Sequence, residues 1–227
     1  MKQLLIIIVT LVTLSSCCGF SRSKEYQKPE TPTVQTSAFI IGETKDQVWD
    51  RLIAGLRDAY SPFTINSMDK NKGYIKMSYS GEPCAYVDCG QLSAEFNNTG
   101  RAFDPPFSTP LLFRNTYPAC REYLEYTTCE EMDIPWNTCK LTFKRTMWLE
   151  SSSYIKVTEE SAGIEVQVNT TYTLTKKVKV YKENGLFENQ TYELINFGPY
   201  STETYPDNET TCRANNMLEK QVLSIAK

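Results

Sequence analysis

The chain contains no histidine. This removes Ser-His-Asp and Cys-His nucleophilic sites and the common His-bearing zinc sites. It also removes the side chain that most readily moves protons near neutral pH. Glycine is sparse, 10 in 227 residues, and neither a Gly-rich phosphate loop nor a nucleophile elbow occurs. The cysteines include no C-x-x-C pair, so a four-cysteine zinc site lacks its usual spacing. Neither sign of charge dominates, with 24 Lys and Arg against 27 Asp and Glu for a net charge of −3. Without a clustered basic face, nucleic acid is not expected as a partner. No cofactor or metal is called for. The chemistry left is carboxylate chemistry: Glu130, Glu131 and Asp133 beside Trp136. Paired carboxylates near aromatics suit glycoside cleavage, but a solvated acidic loop accounts for them more simply, and the chain reads as a non-enzyme.

Long apolar runs are also lacking. Leu4 to Leu14 is nearly all apolar, but it falls short of the roughly 20 residues a spanning helix needs. It follows Lys2 and has the length of the h-region of a secretory signal. The run ends in Leu14-Ser15-Ser16-Cys17, which resembles the lipobox of bacterial lipoproteins. The resemblance implies a signal peptide over 1–16, thioether acylation and N-terminal acylation (palmitate among the chains) at Cys17, and a membrane held without any spanning segment. Because Cys18 rather than Asp follows, it further implies the outer membrane, lipid-anchored and periplasm-facing, with the cell surface as the alternative. A plain signal peptide is the simpler alternative. A eukaryotic secreted glycoprotein is a third, since Asn97, Asn169, Asn189 and Asn208 head Asn-x-Thr sequons, although chance supplies these readily in a chain rich in Asn and Thr.

Six further cysteines, Cys84, Cys89, Cys120, Cys129, Cys139 and Cys212, predict up to three disulfides in an oxidising compartment. Cys84 and Cys89 form the easiest local pair. Cys120, Cys129 and Cys139 cluster, and Cys212 is the natural distant partner.

Residues 17–35 read as the acylated cysteine and a flexible tether, poor in bulky apolar side chains and carrying Pro29 and Pro32. A single α+β domain is predicted over 36–227, an antiparallel sheet with one helix packed across it and a C-terminal helix, stapled by disulfides. It opens on the β-rich Ser37–Ile41. Thr44 and Gln47 then have the spacing of a capping box, and Val48, Leu52, Leu56 and Tyr60, widened by Trp49 and Ile53, predict a helix of about four turns that Pro62 ends. Strands are predicted at 63–66, 74–79 and 92–96, separate strands at 139–149 and 154–158, an alternating strand at 164–181, a hairpin turn at Asn184-Gly185, and a return over 191–197. Leu218, Val222 and Ile225 give the stripe of a last helix over about 215–226. Residues 97–136 carry Pro105, Pro106, Pro110, Pro118 and Pro135 and read as an irregular insertion. Tyr86, Asp88, Phe103, Phe107, Phe113 and Tyr117 are the candidate partner surface. Asp88 equally serves to cap its own turn, and the aromatics equally cover a sheet edge.

The run from Val48-Trp49 and Leu52 through Leu56, Phe63-Thr64-Ile65, Asp69 and Gly73-Tyr74-Ile75 to Tyr79 resembles the helix-grip modules of BamC-like proteins. BamC is the lipoprotein C subunit of the outer-membrane β-barrel assembly machinery. The resemblance implies a helix across a curved antiparallel sheet and a non-catalytic role in protein contacts. The functional expectation is therefore a lipid-anchored envelope scaffold or assembly subunit that binds envelope proteins. A lipid or small-molecule carrier is the alternative, and a cavity beneath the Val48–Tyr60 helix distinguishes it.

Overall fold

A computed structural model describes residues 22–58, 60–96, 113–121, 123–128, 140–182, 185–206 and 210–227. The leader, Cys17, Cys18, Phe103, Phe107, Cys129, Cys139 and the Glu130–Trp136 acidic segment lie outside the described residues. The chain separates into two compact units, where the sequence predicts one domain from residue 36. One takes the chain up to Tyr26 together with Leu92–Tyr117, and the other takes Gln27–Gln91 and Pro118–Lys227.

The described part of the first unit is a three-stranded sheet of β1 (Arg22–Gln27), β6 (Gln91–Phe96) and β7 (Phe113–Pro118), in the order β1-β6-β7. The Ser93 and Thr116 hydroxyls lie 3.0 Å apart across β6 and β7. A strand thus occupies part of the predicted tether, and two strands, β7 and a later one over Tyr123–Thr128, occupy parts of the predicted irregular insertion.

The second unit is α+β, with antiparallel pairing throughout its described ladders. Its main sheet has seven strands: β2 (Ser37–Ile40), β3 (Thr64–Asp69), β4 (Tyr74–Gly81), β8 (Tyr123–Thr128), β9 (Lys140–Glu160), β10 (Gly163–Tyr181) and β11 (Phe187–Phe197). The path runs β11-β10-β9-β4-β3, with β2 on β10 and β8 on β9. A smaller sheet, β12 (Thr202–Thr204), β13 (Thr211–Ala214) and β5 (Val87–Asp88), lies in the order β12-β13-β5. Helices α1 (Lys45–Leu56) and α2 (Met217–Ala226) complete the unit.

The N-terminus of α1 forms as the capping box requires. The Thr44 hydroxyl accepts from the Gln47 N–H at 3.3 Å, and Gln47 Oε1 accepts from the Thr44 N–H at 2.9 Å. The helix spans 12 residues and ends four residues short of Tyr60. Tyr60 is 95% exposed, its N–H held by Asp58 Oδ1 at 2.8 Å. Val48 and Leu52 have no surface open to water and Leu56 has 1%. A Cβ on Gly55 would collide with the Ile225 side chain, so the glycine permits the close approach of α1 and α2. Arg51 reaches across to donate two hydrogen bonds to the Ala226 carbonyl, at 3.1 and 2.6 Å, satisfying an orphan acceptor at the end of α2.

The predicted separate strands at 139–149 and 154–158 are one strand of 21 residues. Ser151-Ser152-Ser153 looks like a break in the sequence but alternates across the sheet. Ser151 and Ser153 face inward, and the buried Ser153 hydroxyl meets that of Thr170 at 3.0 Å, removing the cost of an unpaired hydroxyl there. β10 pairs with β9 from Gly163↔Glu160 to Tyr181↔Thr142, a ladder roughly 60 Å long. Along β10, Ile164, Val166, Val168, Tyr172 and Leu174 are buried, and the odd positions face outward.

Among the described residues the disulfides are Cys84–Cys120 and Cys89–Cys212, which corrects the local Cys84–Cys89 pairing. The reason is the small sheet: the register pair Arg213↔Asp88 between β13 and β5 sets Cys89 beside Cys212. Cys84 sits in a 3-10 turn, Pro83–Ala85, and is left for Cys120. The predicted tether is corrected at its far end too. Arg213 donates to the Thr31 hydroxyl at 2.8 Å. The Gln35 N–H donates to Asn216 Oδ1 at 2.7 Å, and Asn216 Nδ2 returns a bond to the Gln35 carbonyl at 3.2 Å.

Candidate interaction surface

The outward face of the main sheet carries an aromatic and aliphatic row that the register brings together. Thr175 on β10 lies directly opposite Leu194 on β11 and Trp148 on β9, and opposed residues share a face. Trp148 is 52% exposed, Leu194 54% and Tyr192, one rung along, 60%. The Trp148 indole N–H donates to the Ser80 hydroxyl on β4 at 3.1 Å, which fixes the ring on the sheet. The Lys177 ammonium stands 5.3 Å from the centroid of the Tyr192 ring opposite it. Further along the same face, Tyr74 and Tyr154 stack at 5.7 Å. The positions between hold Thr173, bonded to Asn196 at 2.7 Å, together with Ser152 and the exposed carboxylate Glu150, and Lys76 and Lys156 stand opposite Tyr154 and Tyr74.

The inner side holds two buried polar groupings. Lys176, 1% exposed, pairs with Glu193 at 2.6 Å and lies 4.4 Å over the Tyr205 ring. The Tyr172 hydroxyl donates to Glu219 at 2.7 Å, and Asn216 Nδ2 donates to the same carboxylate at 3.2 Å. Tyr172, Glu219 and Asn216 have no surface open to water, so this trio ties α2 to β10. Burial first, then the Glu219 charge, raises the Tyr172 hydroxyl well above the usual tyrosine range. Asn216 itself adopts φ 64, a left-handed conformation that asparagine tolerates.

Of the sequence-predicted partner surface, Tyr86 is corrected: it is buried, 6% exposed, with its hydroxyl donating to Gln221 at 2.9 Å and its ring edge-on to Tyr79 at 4.7 Å. Burial pushes its hydroxyl up to about 12. Asp88 Oδ1 accepts from the Gly90 N–H at 2.8 Å, the turn-capping role. Phe113 and Tyr117 lie on β7 in the first unit. Trp148, Tyr192 and Leu194 are what the sequence reading missed. Their signal was an apolar residue on the out-of-phase side of each alternating strand.

No helix among the described residues is long and apolar enough to cross a membrane. No group of three or more cysteines and carboxylates suited to a metal ion occurs among the described residues. A cleft of ≈ 470 Å³ opens beyond the end of α1, lined by Leu56, Arg57, Phe63 and Met68 among others. Comparison with protein-family models, with curated proteins and with solved structures returns no match.

Proposed function

We propose that the chain is an exported, lipid-anchored, non-catalytic assembly subunit whose main sheet docks a protein partner through its outward face. The observation that carries this is the group of Trp148 and Leu194, on either side of Thr175, with Tyr192, large side chains 52–60% exposed on one face of the sheet. Two disulfides suit an oxidising compartment, and the lipobox-like Leu14-Ser15-Ser16-Cys17 suits acylation. The arrangement of α1 over the sheet is compatible with a helix-grip module of the BamC-like kind. A carrier needs space beneath α1. There Val48 and Leu52 are closed to water, which favours the scaffold.

The test is affinity capture from intact bacterial envelopes, with tagged wild type, Cys17→Ala, and a Trp148→Ala/Leu194→Ser double variant. Both replaced side chains are about half exposed, so the double variant keeps its stability within about 1 kcal/mol. The expected result is a defined envelope protein recovered by the wild type and lost by both variants. Equal recovery with the double variant would exclude the sheet face. Co-purified lipid or metabolite with no protein would replace the scaffold by the carrier.

A further inference from the structure

The sequence allots residues 17–35 to a flexible spacer holding the domain away from the bilayer, and the structure leaves little of that length free. β1 begins at Arg22 and is hydrogen-bonded to β6. Farther on, Thr31 and Gln35 are bound to Arg213 and Asn216 in the second unit. Between an acylated Cys17 and the start of β1 stand residues 18–21. Fully extended, that stretch of backbone reaches roughly 18 Å. A free spacer running to residue 35 would reach about three and a half times as far. Strands are spaced about 4.8 Å apart, so β6 and β7 follow β1 closely.

We infer that the unit built on β1, β6 and β7 lies against the lipid headgroups, its partner being the membrane surface itself rather than a protein. The inference rests on the proposed acylation of Cys17. Two observations favour lipid: the length of chain between the anchor and the first hydrogen-bonded strand, and the charge at that strand's start. In sequence Arg22 and Lys24 follow the anchor by five and seven residues, with Glu25 after them, a net positive stretch that suits anionic headgroups. The first unit would therefore be membrane-apposed by covalent geometry.

The experiment uses the full acylated protein purified from envelopes and reconstituted into vesicles of phosphatidylethanolamine and phosphatidylglycerol. A fluorophore is attached through a non-cysteine handle at Thr116, an exposed position on β7. Quenching by nitroxide-headgroup lipid is compared with that of a variant carrying twenty Gly/Ser residues between Gly19 and Phe20, a linker with a mean reach of about 25 Å. The inference expects strong quenching that falls at least about twofold with the linker, as the longer reach requires. Equal quenching with and without the linker in acylated protein overturns it. Intact-mass measurement on the same preparations reports the acyl chains separately. Protein that lacks them overturns the anchor reading, and the membrane apposition with it.

Discussion

The Cys89–Cys212 bridge closes a loop of 123 residues, and its removal is the sharpest stability test of the second unit. Cys84–Cys120 remains in the variant Cys89→Ala/Cys212→Ala, and it shortens the path through the unfolded chain to about 97 residues. Loop-closure entropy for that length gives about 4.7 kcal/mol at 25 °C. Both cysteines are fully buried, so alanine adds a small packing cost to that figure. The assay is guanidinium unfolding followed by the fluorescence of Trp49, a residue of α1 that is 4% exposed. The midpoint should fall, and the slope should rise because the unfolded chain opens further. Removing Cys84–Cys120 instead, with a separation of 36, should cost about 3.8 kcal/mol on the same relation, leaving the longer loop the more costly to lose. A loss under about 1.5 kcal/mol for the longer loop, or the reverse order of the two, would refute the loop-closure account.

Three further outcomes follow from the buried groups and one turn. Lys176→Met should cost about 3 kcal/mol by stranding Glu193, and adding Glu193→Leu should recover most of it, read by urea unfolding. Tyr86 has a folded-state pKa of about 12 against an unfolded value near 10. The stability it contributes is therefore complete below pH 10 and is lost as pH climbs from 10 to about 12, at up to about 1.4 kcal/mol per pH unit. Tyr86→Phe should flatten that decline in a pH series of unfolding curves, and an unchanged slope would count against the buried placement. Gly163 closes the β9–β10 turn at φ +148, where a Cβ would run into the Ile40 carbonyl. Gly163→Ala should therefore cost about 2 kcal/mol by thermal unfolding.

Local chemistry was legible in the sequence, and long-range placement was not. α1 could be read because its capping box and its apolar stripe lie within a dozen residues. β10 could be read because Ile164, Val166 and Val168 alternate without interruption. β9 was broken in two at Ser151-Ser152-Ser153, because small hydroxyl residues mark turns unless a partner such as Thr170 satisfies them inside. Cys84–Cys89 looked local because chain proximity is all that spacing reveals. The β5–β13 pairing across more than a hundred residues decided otherwise. The tether looked free because bonds to Arg213 and Asn216 have no trace in its own composition. The outward row was missed for a related reason. Trp148, Thr175 and Leu194 lie on three separate strands, and only the register shows that they are neighbours.

The central claim is that this row meets a protein partner. A photo-crosslinking phenylalanine derivative placed at Tyr192, and separately at Tyr60, tests it in intact envelopes. Tyr60 is the more exposed of the two, 95% against 60%, and lies off the row, so exposure alone would favour it. The account predicts a discrete protein adduct from position 192, absent from position 60 and lost with Trp148→Ala. Adducts from both positions alike, or from neither, would contradict it.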